Sequence, residues 1–173
     1  MKNSIFWLKQ AELLQWYQIP SFSYKKKKDN YIDWYPDGKI NIFDNCISEN
    51  IKIGLGKKIA IRCVNKEKQI KSYTYDAINK ITNSFSDILI KQSKNKKLES
   101  TRVMIHASAS IESAVSMLSC AKLGIHFSVI FEDLAPEAIS KRISLFKPDI
   151  FVSRIKKKIF EKNFSKEKNL KKK

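Results

Sequence analysis

The apolar positions of this chain change their period several times, and the clearest alternation lies between Thr101 and Ser153. Thr101 to His106 is a short apolar run that predicts a strand. Ile111, Ala114, Val115, Leu118 and Ala121 then recur at helical spacing, with Met117 beside them. Ser108 or Ser110 suits the cap of that helix, Glu112 its first turn, and Gly124 the left-handed position just past its end. Phe127 to Phe131 is uncharged and rich in β-branched and aromatic residues, as a strand buried on both faces requires. Pro136 opens a second helix over Ala135 to Phe146. Pro148 cannot continue it, and Ile150 to Val152 predicts a third strand. The order β-α-β-α-β with short connections implies a parallel sheet with right-handed crossovers.

Upstream the pattern is looser. Ile5, Leu8, Ala11, Leu14 and Tyr17 recur every third residue and predict a helix over Ser4 to Tyr17, docked on a core by that stripe. Ile19 to Asn30 predicts a loop, and Trp34 to Gly38 a turn with Pro36, Asp37 and Gly38 in favourable order. Asn41 or Asp44 opens a short helix through about Ile51. Lys58 to Val64 and Ile70 to Tyr73 predict a hairpin around the turn Asn65-Lys66-Glu67-Lys68. Thr74 suits the cap of a helix over Tyr75 to about Lys91, with Ile78, Ile81, Phe85, Ile88 and Leu89 on its apolar stripe. Residues 92–100 predict a polar loop.

Composition narrows the class. A chain of 173 residues with 43% hydrophobic content supports a folded domain with a real core. No apolar run reaches the roughly 18 residues that a membrane span needs. The first residues carry charge within their apolar stretch and show no small-residue cleavage site, unlike a secretory signal. The three cysteines, Cys46, Cys63 and Cys120, are far apart and odd in number. That predicts a reduced, cytoplasmic protein rather than a disulfide scaffold. The net charge of +17 raises a nucleic-acid reading. The basic residues, however, fall in runs at Lys25–Lys28, Lys91–Lys97 and Arg154–Lys173, with little aromatic interleaving. Solvated charge with only non-specific nucleic-acid affinity is the expectation.

Candidate chemistry is sparse. The four glycines form no phosphate loop, and Gly54-Leu55-Gly56 lacks the third glycine and preceding strand of a dinucleotide fingerprint. It reads more simply as a turn. His106, His126 and Cys120 lack the close paired spacing of metal ligands, so strand-end histidines and a buried apolar cysteine are expected. Asp44 and Glu49 are five residues apart, a spacing that does not place two carboxylates together on an α-helical face.

Three ordered segments carry a resemblance. Met117 to Ile143 is similar to a stretch of the AMP-forming acetyl-CoA and propionyl-CoA synthetases, members of the adenylate-forming superfamily. Cys120, Ala121, Gly124, Ser128, Val129 and Phe131 match one for one; Lys122, Leu123 and Ile130 are conservative replacements, and Pro136-Glu137-Ala138 and Arg142-Ile143 continue the likeness. Phe6-Trp7, Gln10-Ala11 and Trp16 resemble the family's opening. Trp34 to Asn41 with Asn45-Cys46 resembles the segment that follows, and Tyr73-Thr74-Tyr75 the start of its next helix.

The resemblance implies an α/β fold: an N-terminal helical extension, then a hairpin and a βαβαβ parallel-sheet unit that begins the large adenylate-forming domain. It divides the chain into an extension at 1–55, the first part of the AMP-binding domain at 56–153 and a lysine-rich tail at 154–173. It implies ligase chemistry for the full family, acetate or propionate with ATP, magnesium and CoA giving acyl-CoA, AMP and pyrophosphate. The ATP loop and catalytic lysine of that chemistry lie downstream of the matched stretch. The chain is therefore expected to be an N-terminal fragment, not catalytic alone and with no cofactor of its own. One subunit of a split synthetase, partnered by a second chain carrying the rest, and a non-catalytic basic binding module are the alternatives.

Where this sequence departs from the family, the expectations change. The family's arginine and glycine segment, which contacts CoA phosphate, falls just past Ser153. That points to Arg154, Lys156 and Lys157, with the glycines missing. The family's Gly-Gly after the second strand is Glu132-Asp133 here, a strained replacement if positive φ is needed. The family's two prolines after the first strand are absent from His106 to Glu112, and its histidine before serine is Phe127, with His126 displaced by one. Finally, an uncovered apolar strand edge would invite aggregation or a partner, so an isolated chain is expected to be poorly soluble or partly folded.

Overall fold

The structure, a computed structural model, describes residues 2–29, 31–65, 67–94 and 96–153. The expected α/β order is present. Helix α1 (Lys2–Ala11) is followed by strands β1 (Tyr24–Lys26) and β2 (Ile32–Trp34), a helical segment at 42–55, hairpin strands β3 (Ile59–Val64) and β4 (Ile70–Thr74), and helix α2 (Tyr75–Gln92). Strand β5 (Arg102–His106), helix α3 (Ile111–Leu123), strand β6 (His126–Ile130), helix α4 (Pro136–Phe146) and strand β7 (Ile150–Ser153) complete it.

The parallel sheet has the order β6-β5-β7. Arg102 to His106 pairs with His126 to Ile130 on one side, and Val103 to His106 pairs with Ile150 to Ser153 on the other. Alternation along β5 divides the sheet into two faces. Val103 and Ile105 meet Leu89 of α2 and Cys120 of α3 in one buried cluster, joined by Ala107 and Ile125. Met104 on the opposite face is also fully buried. The connection from β6 back across β5 to β7 reverses direction, so a right-handed crossover carries α4 onto the face opposite α3. The local signals behave as their chemistry requires. Thr74 caps α2 by accepting from Ala77 N, and Ser110, the second of the two candidate serines, caps α3 by accepting from Ser113 N. Gly124 ends α3 at φ 66°, where a side chain would be strained.

Several expectations are corrected. Helix α1 stops at Ala11 rather than reaching Tyr17. The Trp16 indole N–H donates to Ala11 O at 2.8 Å, turning the chain back, and Tyr17 N pairs with Lys39 O at 2.8 Å. The expected docking stripe is largely exposed: Ile5, Leu14 and Tyr17 face water, and only Ala11 is buried. The predicted loop at Ile19–Asn30 contains β1, which pairs with β2 antiparallel, Tyr24 opposite Trp34. The lysine run had hidden that strand, yet lysine suits an edge. The helix opened by Asn41, whose Oδ1 accepts from Phe43 N, runs to residue 55 through two wide π turns, Asp44–Ser48 and Ile51–Leu55. On α2 the buried face is Ile78, Thr82, Ser86 and Leu89, while Ile81 and Ile88 are exposed. The polar loop before β5 includes a short 3-10 turn, Leu98–Ser100. Glu132 is not among the described non-glycine residues at positive φ, which are Tyr35, Lys68, Lys94 and Lys147, so the anticipated strain is absent there.

A second buried cluster joins the N-terminal part to the body. Phe43 and Ile47 from the 42–55 helix pack on Ile78 of α2, with Ile61 and Tyr73 of the hairpin and Leu118 of α3 around them. The hairpin forms its own antiparallel sheet beside the parallel one.

Candidate functional site at the carboxyl ends of the parallel strands

The strand order reverses at β5, and open α/β sheets hold ligands outside the carboxyl ends of their strands at such a reversal. His106 ends β5 and Ser153 ends β7, in register with each other. His106 Nδ1 lies 3.3 Å from Ser153 Oγ, and the imidazole sits 6.0 Å from the Phe151 ring. The other nitrogen, Nε2, is shielded from water and has no hydrogen-bond partner. A serine nucleophile needs a base that a third group orients. With Nε2 unpartnered, the His106–Ser153 pair lacks that third group among the described residues. The rim continues along β6, where Ala107 N donates to Ile130 O at 3.3 Å and Leu134 N to Phe131 O at 3.4 Å. That bond closes a turn presenting Glu132 and Asp133. Arg154, Lys156 and Lys157, the residues expected to meet a CoA phosphate, follow Ser153 directly and lie outside the described residues.

The other sequence candidates are not brought together. His106 and His126 stand at opposite ends of paired strands, four residues apart in register and so about 13 Å along the sheet. Cys120 is fully buried in the core, which pushes its thiol up to about 12. Among the described residues no group of three His, Cys, Asp or Glu side chains converges as metal ligands would. Gly54 carries φ 86°, and Gly56 O accepts from Asp76 N at 3.0 Å, so this glycine pair shapes a turn against the start of α2.

Asp44 and Glu49 do share one place, against the expectation from α-helical spacing. The turn between them is π-helical, with Glu49 N bonded to Asp44 O, and residues five apart then nearly superpose. Both line a cleft of about 450 Å³ with Gln15, Trp16, Tyr17 and Lys52. Each polar group there is already engaged. The Tyr17 hydroxyl donates to Asp44, which raises the phenol's pKa, and Ser48 Oγ donates to Asp44 at 2.9 Å. Lys52 pairs with Glu49, which raises the pKa of the ammonium. The cleft is a satisfied seam.

Residues 2–46 match the family described as Acetyl-coenzyme A synthetase N-terminus. An acetyl-coenzyme A synthetase of Streptomyces avermitilis is 28% identical over 142 residues, covering 80% of this chain and 21% of the relative. One of Bdellovibrio bacteriovorus is 32% identical over 147 residues, covering 82% of this chain and 22% of the relative. The chain thus spans about a fifth of the length of the relatives it matches. The crystal structure of CmiS6 superposes with a TM-score of 0.57 at 17% identity, over 65% of this chain and 26% of that one, a likeness of fold alone. The fold is a mixed α/β arrangement of hairpin and three-stranded parallel sheet, as the beginning of an adenylate-forming domain has it. The chain belongs to the acetyl-coenzyme A synthetase family, as a counterpart of its N-terminal portion.

The segments that carry the likeness meet in space. Trp7 packs edge-on against Trp34 with centroids 5.2 Å apart, and Trp16 against Tyr35 at 5.4 Å. Asn45 Nδ2 donates to Gln15 O at 2.9 Å, while its Oδ1 accepts from Gln15 N at 2.8 Å. Asn41 Nδ2 reaches the carbonyls of Ala121 and Lys122 at 3.1 and 3.3 Å, inside the third segment. The Lys122 ammonium lies 5.2 Å from the Phe43 ring centroid. The bridging role of Asn41 had no periodic signal; it became visible only when residues 80 apart were seen in contact.

Proposed function

We propose that this chain supplies the structural N-terminal part of a short-chain acyl-CoA synthetase and does not catalyse alone. In that reading the whole protein joins acetate or propionate to CoA through an acyl-adenylate, using ATP and magnesium. The groups that hold ATP and complete the reaction belong to polypeptide beyond the stretch described here. Residues 1–55 act as the extension, 56–153 as the first part of the AMP-binding domain and 154–173 as a lysine-rich tail, in a cytoplasmic protein. The observation that carries this reading is the Asn41 bridge, because the three matched segments converge on packing and hydrogen bonding rather than on a reactive group.

A second reading, one subunit of a split synthetase, is favoured by the outer edge of β7. Among the described residues no strand pairs with that edge. A trough of about 600 Å³ runs beside it, lined by Phe85, Ile88 and Leu89 of α2 and by Phe151 and Val152. Unpaired strand edges beside apolar surface are where a further strand adds.

The test is reconstitution. The chain is mixed with a polypeptide holding the remainder of an acetyl-coenzyme A synthetase, and acetate-dependent ATP–pyrophosphate exchange is followed. Exchange that appears only in the mixture supports both readings, and co-purification from the native host separates the second from the first. Stable binding without exchange, or no association at all, counts against the scaffold role.

A further inference from the structure

The family implies CoA at the carboxyl rim of the sheet, and the described residues of that rim do not fit its phosphates. A phosphate site needs donors: backbone N–H groups free to point at it, or Lys and Arg. Residues 103–121 and 123–140 contain no lysine or arginine, in a chain with 34 such residues. Those two stretches supply the rim loops after β5 and β6 and the first turns of α3 and α4. Their charged residues are instead carboxylates: Glu112 in the first turn of α3, Glu132 and Asp133 after β6, and Glu137 in the first turn of α4. The two helix-start glutamates have a local reason, since acidic residues offset the helix dipole there. Glu132 and Asp133 stand on no helix. They occupy the place where the resemblance expects two glycines, whose backbone would approach an anion without added charge.

We infer that Glu132 and Asp133 make this rim select against the phosphates of CoA, so that the sheet end favours the uncharged pantetheine part over the phosphorylated nucleotide. The inference rests on the reading of the chain as a synthetase N-terminal part. Adjacent strands lie about 4.8 Å apart, so the ends of β6 and β7, which flank β5, are about 10 Å apart. A phosphate held by residues following β7 would therefore stand roughly one Debye length from the two carboxylates at physiological salt. Repulsion at that distance weakens binding of a multiply charged anion and fades as salt rises.

The experiment measures CoA, dephospho-CoA and pantetheine binding to the full chain by equilibrium dialysis at low and moderate salt. It compares wild type with E132Q/D133N and with E137Q. Removing both rim carboxylates is expected to tighten CoA binding by about 3- to 10-fold at low salt, with a smaller gain for dephospho-CoA, none for pantetheine and little left at high salt. The exposed E137Q change tests the same field from a helix start, with a smaller gain in the same order of ligands. Unfolding curves of the variants confirm that they keep the fold. Equal CoA binding by wild type and E132Q/D133N, including no measurable binding by either, overturns the inference. Reconstituted exchange fails or succeeds separately, so loss of the scaffold reading and loss of this selectivity are distinguishable.

Discussion

Asn41 and Ala121 are joined by a hydrogen bond of 3.1 Å across 80 residues of sequence, from the Asn41 amide to the last turn of α3. The same amide reaches Lys122 O at 3.3 Å, and Asn41 Oδ1 accepts from Phe43 N to start the 42–55 helix. One half-buried side chain thus begins a local element and fastens it to the parallel-sheet unit.

Replacing Asn41 by alanine removes both roles and leaves carbonyls of α3 without their partner. Asn41→Ala is expected to lower unfolding stability by about 1–3 kcal/mol, the range for stranding partly buried polar groups. Urea unfolding measures the loss. Limited proteolysis should show faster cutting between residues 12 and 23 than near α2, because the N-terminal part is what the bridge holds.

Gly38 is set by a neighbour rather than by its own backbone. A Cβ there would lie 2.6 Å from Trp16 Cζ3 and 3.3 Å from Pro20 Cβ. Gly38→Ala should cost about 1–3 kcal/mol by forcing the indole aside. A double-mutant cycle with Trp16→Leu should recover part of that cost, because the smaller side chain vacates the space. Strict additivity of the two changes would show that Trp16 is not the obstacle.

Asp37 and Asp149 predict the acid limb of stability. Asp37 is held below the usual carboxylate range chiefly by the Ser21 backbone N–H, which donates to it at 2.8 Å. Asp149 is held low first by Lys96 at 2.8 Å and then by Arg102 N, also at 2.8 Å. Both folded values lie below the unfolded ones. Their contribution is therefore complete above the unfolded value, about 3.9, and lost as pH falls through the folded values. Stability measured from pH 7 down to pH 2 should fall below about pH 4, and Asp149→Asn should make that fall shallower. An unchanged acid limb in this variant would remove Asp149 from the account.

The three thiols differ in surroundings. Cys46 is exposed, Cys63 half-buried and Cys120 fully buried with its thiol pushed up to about 12. A thiol reagent at neutral pH should modify Cys46 first and reach Cys120 only as the chain unfolds, since the thiolate is the reacting form. Rapid labelling of all three in the native state would contradict the packing around α3.

The second half of the fold was legible because its signals are local and mutually consistent. Ser110, Gly124, Pro136 and Pro148 punctuate helices at the positions their chemistry favours, and Val103, Ile105 and Val129 fill strands that the sheet buries. The first half was less legible for physical reasons. Its order comes from tertiary contacts, such as Trp16 turning back on Ala11 and Tyr17 pairing with Lys39, which periodicity does not encode. Lysines disguised β1, and π turns moved Asp44 and Glu49 to one cleft where α-helical spacing kept them apart. At the candidate site the sequence marked His106 and the Glu132-Asp133 departure. It could not show that the ends of β5, β6 and β7 share one rim, because strand order is a property of the whole sheet.

The most direct test of the scaffold reading is acetate-dependent ATP–pyrophosphate exchange by the purified chain, assayed with magnesium and without any added polypeptide. The account predicts no exchange above the background set by a heat-denatured sample. Exchange that requires acetate, scales with the chain's concentration and survives rigorous purification would contradict it, and would place adenylate chemistry within this polypeptide itself.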